Sequence, residues 1–160
     1  MRKKIVAGNW KMNNNRTETK NLIKSLKELK FSSHVRVMIA PAFIHLAEAE
    51  EMTSGSIIEV IAQNMNAAES GAFTGEISAG MLQSIGIKKV ILGHSERRTF
   101  YNESDESLKD KVSTALKNDM EFIFCFGEQL SDRKSNSHFD VIKAQLSNAL
   151  FHLSSSSWSN

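Results

Sequence analysis

The sequence is poor in cysteine and proline, with one of each in 160 residues. Cys125 therefore has no partner for an internal disulfide, and no Cys/His cluster has the spacing of a structural zinc site. Long hydrophobic runs are also missing. The apolar stretch 5–7 is too short for a secretory signal, and none approaches the roughly 20 residues of a membrane span. We therefore expect a cytoplasmic protein.

An excess of charge of one sign is missing as well. Twenty Lys and Arg residues against 18 Asp and Glu residues give a formal net charge of +2, dispersed along the chain. Nucleic-acid binding usually requires a basic stripe, so we expect no nucleic-acid partner. Because no stretch is long enough to span a membrane, we expect no membrane partner either. The chain is 41% hydrophobic and 24% charged, an ordinary globular composition. Its length predicts one domain over residues 1–160.

What the chain does contain is an alternation of short apolar runs with segments of helical periodicity, which is typical of a parallel sheet with crossover helices. The predicted strands are residues 4–9, 35–40, 57–63, 89–92 and 122–126. The predicted helices are residues 17–30, 43–52, 78–85, 105–118 and 139–153. A polar loop that contains glycine, residues 64–76, follows the third strand and is too long for a simple βα turn.

The strands begin about every 30 residues, and eight such units would make roughly the 250 residues of a closed (β/α)₈ barrel. Five units are visible here. We therefore predict an α/β fold of the (β/α)₈ barrel family, truncated after about five βα units into an open partial barrel. A five-stranded doubly wound sheet remains the alternative, because periodicity does not show whether a sheet closes. Neither glycine-rich nucleotide-binding fingerprint is present to support that alternative.

Polar residues gather where the predicted strands end, which is where parallel α/β folds bind ligands. They are Asn9, Lys11, Asn64, His94, Glu96, Gly127 and Glu128. Each also has an ordinary interpretation. Lys11 fits a solvated surface residue, His94 a structural histidine, and Glu96 a surface ion-pair cluster with the arginines that follow it. Cys125, inside an aromatic strand, fits a small buried apolar residue.

Four sequence motifs are more specific than these single residues. They are residues 7–13 (AGNWKMN), 71–76 (GAFTGE), 90–98 (VILGHSERR) and 125–128 (CFGE). In this order and spacing they resemble the triosephosphate isomerase family, and the resemblance covers the whole chain. Two small departures are Ala42 after Pro41, where the family often has two prolines, and Phe126, where it usually has a β-branched residue.

The resemblance implies an isomerase without cofactor or metal that interconverts dihydroxyacetone phosphate and glyceraldehyde 3-phosphate through an enediolate, in glycolysis and gluconeogenesis. By this resemblance His94 is the electrophile and acts in its neutral form, a behaviour for which this family is itself the established example. Lys11 supplies the cation for the phosphate, and Asn9 orients a substrate oxygen. Glu96 is a supporting residue near Lys11, and Ser95 contacts the substrate region close to the catalytic base.

The resemblance also implies a homodimer. The loop 64–76 would reach into a second subunit, with Phe73 and Thr74 as dimer contacts. The ordinary alternative is a floppy surface loop.

The family's catalytic glutamate, mobile lid and glycine-rich phosphate grip belong to its sixth to eighth strands, and none of their motifs occurs in these residues. The catalytic base is therefore absent, and the chain alone is predicted to be inactive or nearly so. Open strand edges should make it prone to aggregation or dependent on a partner. Two alternatives remain: another sugar-phosphate barrel enzyme, such as an aldolase or a synthase, and a non-catalytic truncated or oligomerising half-barrel fragment.

Overall fold

The structure, a computed structural model, describes residues 3–154. Residues 1–2 and 155–160, the two ends of the predicted domain, lie outside the described residues. In chain order the elements are β1 (Lys4–Asn9), α1 (Arg16–Glu28), β2 (Val35–Ala40), a 3₁₀ turn (Phe43–His45), α2 (Leu46–Thr53), β3 (Ile58–Val60), α3 (Ala79–Ser84), β4 (Lys89–Leu92), α4 (Ser95–Phe100), α5 (Asp105–Lys117), β5 (Glu121–Phe124), α6 (Leu130–Lys134) and α7 (His138–Ala149).

The predicted bounds of β1, β2 and β4 are confirmed, whereas β3 is shorter than the predicted 57–63. The ladder with β2 joins Val37–Ile39 to Ile58–Val60. Beyond it, Ala62 forms an isolated parallel bridge to Val90. The third strand thus changes partner near its end, which periodicity alone does not reveal. The short helix α6 also escaped the sequence analysis, because five residues carry too little periodic signal.

The chain divides into two compact units, which we call unit 1 (Met1–Asn64 and Gly80–Val90) and unit 2 (Met65–Ala79 and Ile91–Asn160). The prediction of one domain over residues 1–160 stays a prediction. Among residues 3–154, no helix combines the length and the apolar character needed to cross a bilayer.

Unit 1 is built on a parallel sheet with the strand order β1-β2-β3. Helix α1 begins at a capping box: the Asn15 side chain accepts from the backbone of Glu18, whose carboxylate accepts from the Asn15 N–H. Its apolar stripe buries Ile23, and helix α2 buries Leu46. Together with the inner residues of β2 these side chains form the core that holds the strand ends in place.

The outer edge of β1 is exposed. No strand of the described residues pairs with that edge, and Ile5 and Val6 are 47% and 61% exposed. Parallel strands are normally buried on both faces, so these side chains are unusual for their position. The expectation of an open apolar edge is confirmed at β1, and such an edge is a ready template for association.

Unit 2 joins the end of β4 to β5 through the Cys125 N–H, which donates to the Leu92 carbonyl at 2.8 Å. Helix α5 packs its buried face, including Leu108 and Val112, beneath them. Glu103 carries a buried carboxylate, with 4% of its side chain exposed, that binds Arg97 and Lys111. These three charged groups depend on one another, because removing a partner leaves a buried charge without full compensation.

Candidate active site

The loop after β1 holds Lys11 in an unusual backbone conformation. Its φ of 54° lies in the left-handed region, which costs a non-glycine residue about 1–2 kcal/mol. The Asn9 side chain helps to impose this shape, since its Oδ1 accepts from the Lys11 N–H at 2.9 Å. The Trp10 N–H donates to the Ala40 carbonyl at 3.1 Å, which ties the loop to the end of β2. Strained residues of this kind cluster at functional sites.

Gln63 is a contact that the sequence analysis missed. Its Nε2 donates to the Lys11 carbonyl at 2.9 Å and to the Ala40 carbonyl at 2.8 Å. Lys11 lies 52 residues earlier in the chain, so no local pattern marks the pair. The available signal was only that Gln63 is a polar residue near the end of a predicted strand.

His94 is placed by a sharp turn at the end of β4. Gly93 has a φ of +76°, and a Cβ there would lie 2.8 Å from the Cys125 carbonyl oxygen, so a side chain would both strain the backbone and collide. The turn makes His94 the N-cap of α4, with its Nδ1 accepting from the Glu96 N–H at 3.2 Å. In a neutral imidazole this assigns the proton to Nε2, which is therefore a hydrogen-bond donor.

The arginines after Glu96 each pair with an acidic residue further along the chain. Arg97 binds the buried Glu103, and Arg98 binds Asp105 with Nη1 to Oδ1 at 2.6 Å. Arg98 also donates to the Gly93 carbonyl at 2.9 Å and to the Cys125 carbonyl at 3.3 Å. Its side chain is 16% exposed. The guanidinium therefore fastens the turn before His94 to the end of β5.

A cleft of about 680 Å³ opens within unit 2 where β4 and β5 end. His94 and Ser95, the exposed first residue of α4, line it together with Cys125 and Glu128. Burial raises the pKa of the Cys125 thiol, against a smaller opposing effect of Arg98, so Cys125 is not an activated nucleophile.

The Glu128 carboxyl group is ionised and forms an ion pair with Arg133. Its own backbone N–H and the Arg133 guanidinium both lower the pKa of this carboxyl. Arg133 Nε donates to Glu128 Oε1 at 2.9 Å. A carboxylate held in this way favours an ion-pair role rather than a poised proton acceptor.

The loop 64–76 is ordered at its base and exposed at its tip. The Asn66 N–H donates to the Ile77 carbonyl and the Asn66 side chain donates to Glu76, both at 2.8 Å. Thr114 on α5 donates to the Ala67 carbonyl at 2.7 Å. Phe73 is 51% exposed, beside the exposed Thr74. These bonds hold the base of the loop in place.

Comparison with known proteins identifies the family. The family model described as triosephosphate isomerase matches residues 4–160. The chain belongs to the triosephosphate isomerase family. The fold class predicted from the sequence, a (β/α)₈ barrel family represented by about five βα units, is thereby confirmed.

Bacterial relatives named triosephosphate isomerase support the assignment. The protein of Flavobacterium psychrophilum is 53% identical over 161 residues, covering 100% of this chain and 64% of the relative. The protein of Flavobacterium johnsoniae is 50% identical over 160 residues, covering 99% of this chain and 64% of the relative. The protein of Bacteroides fragilis is 48% identical over 161 residues, with coverages of 99% and 64%. The chain thus spans about 64% of the length of these relatives.

The residues predicted for the isomerase site fall into two sets. Asn9 and Lys11 lie in unit 1, where Gln63 also binds the Lys11 backbone. The other three, His94, Ser95 and Glu96, lie in unit 2. Each set follows the carboxyl end of a strand. That the two sets surround one substrate stays a prediction. Within residues 3–154, no group of three or more His, Cys, Asp or Glu side chains is arranged to hold a metal ion.

Proposed function

We propose that this protein serves the isomerisation of dihydroxyacetone phosphate and glyceraldehyde 3-phosphate, a step of glycolysis and gluconeogenesis, in the cytoplasm. The observation that carries the proposal is the hydrogen bond made by the His94 imidazole. Its Nδ1 is occupied by a backbone N–H, which leaves Nε2 to donate. An electrophile that polarises a carbonyl needs this arrangement.

The reaction removes a proton next to a carbonyl, which is feasible only when the negative charge developing on oxygen meets fixed donors. The Nε2–H of His94 donates to that oxygen. The Lys11 ammonium binds the phosphate dianion of the substrate, and Asn9 orients the oxygen beside it. The bonds that hold the Lys11 backbone and the His94 imidazole come from the protein itself, so little reorganisation is needed during the reaction.

Proton removal requires a base that the described residues do not supply. Glu128 is paired with Arg133, and Glu96 has a carboxylate oxygen 3.6 Å from His94 Nδ1. We infer that the base, the lid and the phosphate grip lie in the part of the family fold that the relatives have beyond the matched region. A general base contributes about 10²–10⁴ in rate, so the 160-residue chain alone should be inactive or nearly so.

The test joins this chain to the C-terminal remainder of the Flavobacterium psychrophilum protein and compares three proteins produced in a host lacking its own isomerase. The joined protein should isomerise glyceraldehyde 3-phosphate at least about 10³-fold faster than the 160-residue chain alone. The remainder expressed by itself is the control. Substantial turnover by the purified chain alone would refute the proposed inactivity, and an inactive but folded joined protein would refute the proposed function.

One observation favours a second candidate, a non-catalytic half-barrel that associates through its exposed strand edge. In the described residues the outer edge of β1 is unpaired, and Ile5 and Val6, on opposite faces of the strand, are both exposed to solvent. A defined oligomer of the chain alone on size exclusion, together with no turnover by the joined protein, would support this candidate.

We also propose that the complete protein is a homodimer through the loop 64–76. The exposed Phe73 at the tip of this loop supports this, because aromatic side chains are enriched at the cores of protein interfaces. Phe73→Ser should raise the dimer dissociation constant of the joined protein by about tenfold or more, measured by sedimentation. Phe139→Ser on α7, at a phenylalanine that is 75% exposed, is the matched control and should leave association unchanged. Equal effects of the two substitutions would contradict the proposed interface.

A further inference from the structure

The side-chain amide of Gln63 links two strand ends to the Lys11 loop. Gln63 follows β3, Ala40 ends β2, and Lys11 follows β1, so the contact crosses three consecutive strands of one sheet. The register pairs Asn9 with Ala40, which brings the Lys11 loop beside the carbonyl that Gln63 binds. One amide group thereby fixes the spacing of the loop relative to the sheet.

The orientation of the amide follows from its partners. Both atoms that Nε2 contacts are carbonyl oxygens, which accept hydrogen bonds and cannot donate them. The opposite orientation would place Oε1 against two acceptors, so only the NH₂ group satisfies this site. The two protons of one amide are thus used to hold two separate backbone segments.

Lys11 needs such a restraint because its left-handed backbone is disfavoured for a residue with a side chain. Asn9 restrains the N–H of Lys11, and Gln63 restrains its carbonyl oxygen. The peptide groups on both sides of the Lys11 Cα are therefore fixed, which sets the direction in which the side chain leaves the loop.

We infer that Gln63 is a positioning residue for Lys11. By holding the carbonyl of Lys11 against the end of β2, it keeps the lysine in the left-handed conformation that aims its ammonium group at the substrate phosphate. This inference rests on the proposed function for the identity of the ligand, whereas the conformational part stands on the geometry of unit 1.

The kinetic test uses the joined protein with Gln63→Met, which removes both donors at similar length, and Gln63→Glu, which replaces them by acceptors. Both should lower kcat/KM by about tenfold to 100-fold and weaken inhibition by inorganic phosphate. The decisive step is a double-mutant cycle. In a Lys11→Ala background, Gln63→Met should cause no further loss, because the residue through which it acts is gone. Losses that multiply instead would overturn the inference.

A second readout needs no turnover and so separates this inference from the proposed function. A backbone with positive φ gives a strong intraresidue NOE between the amide proton and Hα. That NOE for Lys11 should weaken in Gln63→Met and Gln63→Glu and persist in Gln83→Met, a matched substitution on α3 of the same unit. A Lys11 NOE unchanged in the folded Gln63 variants would overturn the inference even if the protein proves to have another activity.

Discussion

Replacing His94 by glutamine in the joined protein is expected to lower kcat by about 10²–10⁴-fold without unfolding it. Glutamine can still accept from the Glu96 N–H through its side-chain carbonyl, so the cap of α4 should survive. What it lacks is a ring donor fixed by that cap and aimed at the substrate oxygen. Most of the loss should therefore appear in kcat rather than in KM, as expected for an interaction made in the transition state.

The measurement is steady-state kinetics in both directions, accompanied by thermal unfolding to confirm that the fold persists. His34→Gln is the matched control, since His34 is an exposed residue outside both sets of site residues. Near-normal turnover in His94→Gln would remove the electrophile from the proposed mechanism. A loss of similar size in His34→Gln would show that the assay reports damage to the protein in general.

Lys11→Ala should reduce kcat/KM by at least about 10³-fold, because it removes the cation that meets the phosphate dianion. Inhibition by inorganic phosphate should weaken in the same variant. The fold should tolerate the change, since Lys11 is an exposed residue and alanine keeps the backbone groups that Asn9 and Gln63 bind.

Lys20→Ala provides the comparison for charge. Lys20 also lies in unit 1, on α1 rather than in the β1 loop, and pairs with Glu48, so its removal takes away the same formal charge without touching that loop. Its partly exposed ion pair should contribute little to stability and nothing to turnover. If Lys20→Ala and Lys11→Ala reduced activity equally, a general electrostatic effect would replace the specific role proposed for Lys11.

The ion pairs of unit 2 show why some site features escape a reading of the sequence. Arg97 and Arg98 follow Glu96 directly, so a local ion-pair cluster was a reasonable interpretation. In the structure the guanidinium group of Arg97 binds Glu103, and that of Arg98 binds Asp105. Glu103 and Asp105 lie beyond the end of α4, so the path of the chain after this helix determines which acidic residue reaches each arginine.

Local signals in the sequence were sufficient for most of the secondary structure and for the family. The alternation of apolar runs with helical segments determined β1, β2 and β4 with their bounds, because strand and helix periods are local properties. The four motifs carried the resemblance to the triosephosphate isomerase family through their residues, order and spacing.

Tertiary structure alone decided the contacts that restrain these residues. It joined Gln63 to Lys11 across 52 positions, occupied Nδ1 of His94 with the Glu96 N–H, and left the outer edge of β1 exposed in the described residues. The physical reason is that hydrogen bonds between distant segments depend on how strands are placed side by side. Periodicity describes each segment by itself and carries no information about its neighbours.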